Sequence, residues 1–189
     1  RLASPRRPKV VFVFSGQGSQ WPTMARELLQ VSPVFRATLE DCERAMRAHG
    51  DLALLGLLEK TDDTSWMEDI GVIQPMLFAI AVALAAQWRA WGIHPDAVVG
   101  HSMGEVAAAH VAGVLSLEDA TRVICRRSAL LRRVRGQGGM ALVGLSLEQA
   151  RAVLAGLEDP LSIAASTGPT TTVLAGAAVG TGPDRFSSW

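Results

Sequence analysis

The stretch Ala97-Val98-Val99-Gly100-His101-Ser102-Met103-Gly104-Glu105 decides the fold. A short apolar run ends at Gly100, and a stretch rich in small residues, Ala107, Ala108 and Ala109 among them, follows Ser102. Gly-x-Ser-x-Gly between a strand and a helix is the pattern of a nucleophile elbow. The turn is tight enough to strain the serine backbone, and only small neighbours let the chains pass. The flanking strand and helix, more than the short pattern itself, give the reading its weight. A helix opening at Met103 aims free N–H groups, and the positive end of its dipole, at whatever sits beside Ser102. The Met103 N–H is therefore a candidate oxyanion donor, a contribution on the order of 10²–10³ in rate.

Working outward, Val10 to Phe14 is a second apolar, β-branched and aromatic run, expected to be a strand buried on both faces. It leads into Gly16-Gln17-Gly18-Ser19-Gln20 and then Trp21-Pro22, which is expected to open a helix to about Leu29. Trp21 stands where a dinucleotide fingerprint needs Gly or Ala, and no Gly-Lys-Ser/Thr follows, so this is not a phosphate loop. If the two strands are parallel, both loops lie at their C-terminal ends, where ligands bind in open α/β sheets. The Gly16 loop is then a second source of backbone donors for Ser102; a plain tight turn is the alternative.

Further helices are expected over Ser32–Ala48, Asp51–Leu58, Pro75–Trp91, Met103–Ala112 and Ser116–Val134, with a polar loop at 61–65. Glycines 136, 138 and 139 break the chain. Strand Met140–Gly144, helix Leu147–Leu157 and strands Ser162–Ser166 and Thr171–Leu174 follow. Residues 1–8 are rich in Pro and Arg and read as a linker. The expected division is linker 1–8, core 9–135, a second subdomain 136–176 and a divergent tail 177–189. The chain begins with Arg1 rather than Met, so a preceding segment is expected.

Composition removes several classes of function. Eighteen basic and eighteen acidic residues balance, which gives no reason to expect nucleic acid or an anionic membrane as partner. Hydrophobic residues at 49% exclude disorder. Two cysteines, Cys42 and Cys125, cannot supply a disulfide scaffold or a four-cysteine zinc site, and no metal or bound cofactor is expected. The apolar run after Arg6-Arg7 is too short for a signal peptide. The run Met76 to Ala86 is too short to span a bilayer, so no membrane span is expected and the location is expected to be cytoplasmic.

Arg127 stands out on the Ser116–Val134 helix. Leu117, Ala120, Val123, Ile124, Leu130, Leu131 and Val134 follow the spacing of one buried face, and Arg127 falls in register with them, whereas Arg126, Arg132 and Arg133 read as solvated. A buried guanidinium needs a partner. That partner is either an internal carboxylate or a carboxylate-bearing substrate, which the planar fork of arginine suits. A serine nucleophile also needs a general base. His49, His94, His101 and His110 are the histidines, and none is well placed: His110 lies about 12 Å along the helix from Ser102, and the His101 side chain should point away from its neighbour.

Four motifs taken in order, Val11 to Trp21 with its Ser15-Gly16-Gln17-Gly18-Ser19-Gln20, Gln74-Pro75, Gly100 to Glu105 and Arg127-Ser128, resemble the acyltransferase domain of modular type I polyketide synthases, over about residues 9–176. That domain is similar to the malonyl-CoA:acyl carrier protein transacylases. The resemblance implies an α/β-hydrolase-like core with the beginning of a ferredoxin-like small subdomain. It implies that Ser102 is the acylated nucleophile, that Gln17 and Met103 form the oxyanion hole through their N–H groups, and that Arg127 binds the free carboxylate of a malonyl-type unit. Gln74 would line the site and His101 would belong to the elbow. The acyl group would pass from a coenzyme A thioester to Ser102, and then to the phosphopantetheine thiol of an acyl carrier protein working with neighbouring synthase domains. The family's catalytic histidine lies farther past the serine than this sequence extends, so impaired activity is expected. Met103 matches neither residue type that marks methylmalonyl or malonyl selectivity in the family. A serine hydrolase of the lipase or patatin type, and a non-catalytic remnant, are the alternative readings.

Overall fold

The computed structural model describes residues 8–50, 52–60, 64–157 and 161–177. The linker expected at 1–8 (but for Pro8), the start of the Asp51 helix, most of the loop at 61–65 and the tail after Ala177 lie outside them. The chain divides into two compact units, one to Arg132 and one from Arg133.

In the first unit, β1 (Val11–Phe14) pairs in parallel with β2 (Ala97–Gly100), with Val11 opposite Ala97 and Phe14 opposite Gly100. The entry is pinned by Asp96, whose N–H donates to the Val10 carbonyl at 2.8 Å and whose Oδ2 accepts from the Val10 N–H at 2.8 Å. Parallel strands need a crossover of a dozen or more residues. Here it contains α1 (Arg26–Val31), α2 (Pro33–Met46), α3 (Leu54–Glu59), a 3₁₀ turn at Ser65–Met67 and α4 (Ile70–Ala90). α5 (Gly104–Val111) and α6 (Leu117–Val134) follow β2.

The core lies among these helices. On α2, Phe35, Leu39, Cys42 and Met46 recur at helical spacing and are fully buried; each large apolar side chain so buried contributes about 1.5–3 kcal/mol. Ser32 caps α2 by accepting from the Phe35 N–H at 3.1 Å, with Pro33 at the first helical position, and its hydroxyl also donates to Gln87 on α4. By length and composition α4 could cross a membrane, but 67% of its apolar window is buried inside the protein, which makes it a core helix.

Four expectations are corrected. The α4 helix begins at Ile70 rather than Pro75, because the Asp69 carboxylate accepts from the Gly71 N–H at 2.8 Å and starts it earlier; Pro75 sits inside. The segment from Trp21 forms turns, with the Met24 N–H bonded to the Trp21 carbonyl at 3.1 Å, and becomes helical only at Arg26. Helix α7 (Leu147–Leu154) stops short of Leu157. Most consequential, the strands are not buried on both faces: in β1 Val11 is 49% and Val13 71% exposed while Phe14 is 5%, and in β2 Val99 is 53% exposed. A continuously apolar strand here has one face covered, and an apolar groove of about 590 Å³ runs along β1, lined in part by Val11, Val13, Leu84 and Trp88.

In the second unit β3 (Gly138–Val143), α7, β4 (Leu161–Gly168) and β5 (Thr171–Ala177) build a three-stranded sheet in the order β3-β5-β4, with β5 antiparallel to both neighbours. A capping box, Ser146 accepting from the Gln149 N–H and Gln149 from the Ser146 N–H, starts α7.

Two outcomes follow. Exposed, flat apolar strand surface promotes association, so Val13→Lys should raise the soluble fraction of the chain in sedimentation assays while its stability shifts by less than about 0.5 kcal/mol. At Gly104 a β-carbon would lie 2.6 Å from the Ser15 carbonyl oxygen and still closer to that of Phe14; Gly104→Ala should cost roughly 2–3 kcal/mol in denaturant unfolding.

Candidate active site

The strand–helix junction after β2 is a strained turn. Ser102 has φ 54°, in the left-handed region that a non-glycine residue seldom occupies. The turn closes through Gly104 N–H to His101 carbonyl at 2.9 Å and Glu105 N–H to Ser102 carbonyl at 3.1 Å, and the His101 N–H continues the strand ladder onto the Phe14 carbonyl at 3.0 Å. The Gly16 loop presses against this turn. A β-carbon at Gly16 would stand 3.2 Å from His101 Nδ1 and 3.4 Å from Ser102 Cβ. The two loops that the sequence placed at the strand ends therefore do meet at Ser102, and the His101 side chain lies against the Gly16 loop.

Arg127 reaches this point from α6. Its Nη2 donates to Ser102 Oγ at 3.2 Å, and its Nη1 donates to Gln74 Oε1. Gln74, 4% exposed on α4, in turn donates from Nε2 to Gln17 Oε1 at 3.0 Å. Gln17, Gln74, Arg127 and Ser102 thus form one continuous hydrogen-bonded chain drawn from four segments. Arg127 is half-buried, and its side-chain partners among the described residues are an amide and a hydroxyl, with no carboxylate. Among the described residues the internal salt bridge weighed from the sequence is not formed. The helix face differs from the one expected as well: Val123, Leu130 and Val134 are exposed, and Thr121, Cys125 and Ser128 are buried instead. Arg132 is paired, its Nε donating to Asp69 Oδ1 at 2.8 Å and its Nη2 to Oδ2.

Neither the Gln17 nor the Met103 N–H is taken up by an acceptor among the described residues, while the Met103 side chain is 1% exposed and belongs to the core. The histidines are exposed or engaged elsewhere. His110 Nδ1 contacts the Leu115 carbonyl at 3.1 Å and its ring packs near Phe78, a structural placement; His49 and His94 are exposed. Among the described residues no histidine hydrogen-bonds Ser102. The thiols are no alternative nucleophile. Burial, with Asp41 nearby, pushes Cys42 up to about 12, and burial pushes Cys125 up to about 11, so both are protonated at neutral pH.

The sequence singled out Ser102 and Arg127, and the resemblance added Gln74; the structure brings the three side chains together, while the Gln17 side chain and the direct Arg127–Ser102 contact were missed. Helical spacing put Arg127 on an inner face; nothing local to residue 127 encodes which distant oxygen it meets.

Known proteins match this chain over most of its length. The profile of the acyl transferase domain family covers residues 11–179. Erythronolide synthase EryA3 of Saccharopolyspora erythraea is 51% identical over 171 residues, 90% of this chain and 5% of that protein. Polyketide synthase GfsA of Streptomyces halstedii is 49% identical over 168 residues, 89% of this chain and 2% of that protein. Among solved structures, a loading acyltransferase from the avermectin modular polyketide synthase superposes with a TM-score of 0.81 at 44% identity, over 89% of this chain and 54% of that one. The malonyl CoA-acyl carrier protein transacylase of Coxiella burnetii gives 0.78 at 29% identity, over 90% and 54%. The chain thus spans a small fraction of these synthases and about half of these two solved acyltransferases. Since the match runs from the first residue of β1 to beyond the last of β5, the chain belongs to the acyl transferase domain family.

Proposed function

We propose that this chain is the nucleophile-bearing part of an acyltransferase that moves a malonyl-type unit from coenzyme A to an acyl carrier protein. The observation that carries the reading is a guanidinium 3.2 Å from a strained serine hydroxyl, with no carboxylate among the described residues to neutralise it. Such a cation suits an acyl group that itself bears a carboxylate, held by a charge-assisted pair. A lipase-like hydrolase of neutral esters has no use for it.

Ser102 Oγ attacks the thioester carbonyl carbon; the new carbon–oxygen bond forms, the carbon–sulfur bond breaks, and the serine proton leaves on the coenzyme A thiol. The oxyanion of the intermediate faces the Gln17 and Met103 N–H groups, preorganised by the loop contact and the start of α5. In the second half the phosphopantetheine thiol attacks the acyl-serine ester, a carbon–sulfur bond forms, the carbon–oxygen bond breaks, and the thiol proton returns to Ser102. His101 serves the elbow through its backbone. Neighbouring synthase domains would present the carrier protein. The first unit reads as an α/β-hydrolase-like core, 9–135. The second, 136–176, reads as the beginning of a ferredoxin-like subdomain, a reading supported by its split β-α-β with β5 inserted between β3 and β4. With its long apolar helix buried, we place the protein in the cytoplasm.

Incubation with malonyl-CoA followed by intact-protein mass and peptide mapping tests this. Malonyl is expected on Ser102, slowly, since general-base help worth about 10²–10⁴ has no histidine on Ser102 to supply it. Ser102→Ala should take no label. Arg127→Ala should malonylate about 10- to 100-fold more slowly, the value of a charge-assisted pair, while acetylation from acetyl-CoA changes little. Cleavage of neutral esters insensitive to Arg127→Ala would favour the hydrolase instead, and absence of any label a non-catalytic remnant.

A further inference from the structure

We propose that Gln17 and Gln74 act together as a directional amide relay that positions Arg127, and so set the preference for carboxylated over neutral acyl groups. The inference rests on the acyltransferase reading and adds to it two positioning residues that act through Arg127.

The relay has a sense imposed by its ends. Arg127 offers only donors, so the group it meets must accept; Gln74 does so through Oε1. That turns Nε2 the other way, toward Gln17 Oε1 at 3.0 Å. Reversing the Gln74 amide would set its NH₂ against the donor-only guanidinium, and its oxygen against the Gln17 oxygen unless the exposed Gln17 amide turned with it, so the Arg127 end fixes the sense. Gln74 is 4% exposed, so water cannot readily replace either bond, and a buried unpaired polar group is costly. With Nη1 tied to Gln74, Nη2 is left aimed at Ser102 Oγ.

Amides also suit this role for a reason of charge. A carboxylate at position 74 would fix the same guanidinium but neutralise it, and an incoming substrate carboxylate would have to compete with an internal one. The amide fixes orientation and leaves the positive charge available. Because Gln17 belongs to the loop that abuts the elbow at His101 and Ser102, one residue supplies a backbone N–H on the oxyanion side and, through its side chain, the anchor of the carboxylate side.

The test compares Ser102 malonylation and acetylation rates of the full 189-residue chain, from malonyl-CoA and acetyl-CoA, by intact mass. Gln74→Met removes both bonds at near-constant volume and should lower the malonyl-over-acetyl preference about tenfold, mainly through a higher malonyl-CoA KM. Gln74→Glu should lower it to the Arg127→Ala level by neutralising the guanidinium. Gln17 is exposed, so substitutions there should spare the fold: Gln17→Met should lower the preference several-fold, and Gln17→Glu, which keeps an acceptor oxygen, should recover most of it. A purely structural role would slow both thioesters alike. A preference unchanged in Gln17→Met and Gln74→Met while Arg127→Ala abolishes it would overturn the relay and leave the acyltransferase reading standing. No label on Ser102 from either thioester would overturn both.

Discussion

Everything at the site depends on one close approach of backbone to backbone. Gly104, at the start of α5, lies so near the Phe14 and Ser15 carbonyls at the end of β1 that a single added carbon would not fit, and Gly16 meets His101 and Ser102 within van der Waals range. Two strand ends and two loops are packed without side chains between them. The parallel register, Phe14 opposite Gly100, delivers both chain reversals at the same height, and the His101 N–H bond to Phe14 carries the ladder one residue past the strand. Under that constraint Ser102 must turn into the left-handed region, which lifts its hydroxyl clear of the helix that follows. The strain at Ser102 and the exposure of its hydroxyl therefore have a common cause.

The constraint was legible in the sequence because it is written in small residues at fixed spacing. Gly100 and Gly104 could be read as positions where backbones pass, and the strand Ala97–Gly100 was placed with its observed limits; the tight approach at Gly16 was not foreseen. What the sequence could not show is which surfaces receive cover. Val11, Val13 and Val99 are as apolar as buried strand residues, yet they are exposed, because burial depends on what packs on a face and not on the face's own composition. Pro75 misled for a related reason: proline is well tolerated at a helix start, but the Asp69 cap lies upstream and wins. The Gln17 side chain was missed because the glycines beside it invited a reading of that loop through its backbone alone.

The two arginines Arg127 and Arg132 show why an unneutralised charge at the site is informative. They sit five residues apart on α6 and meet partners five residues apart, Gln74 on α4 and Asp69 at its N-cap, in reverse order. Long side chains thus bridge the two helices at two rungs in antiparallel register. The outer rung uses a carboxylate, which also caps α4 through the Gly71 N–H; its charges cancel and its purpose is met within the fold. The inner rung uses an amide. If holding the helices together were the whole task, a second carboxylate would do it with a stronger bond.

An amide at the inner rung gives up that attraction while keeping the geometry. The guanidinium that results is fixed at one edge, charged, half-buried and in contact with the Ser102 hydroxyl, so its charge remains directed outward from the helix pair toward Ser102. A neutral hydroxyl satisfies one N–H of that fork but cannot balance its charge. On the reading proposed above, an acyl chain ending in a carboxylate would pair with Arg127 and carry its thioester carbonyl to Ser102, the one hydroxyl the guanidinium touches among the described residues. Selectivity for the acyl group and placement of its reactive carbon would then come from one contact, and the helix register that sets the outer ion pair would also set where that contact occurs.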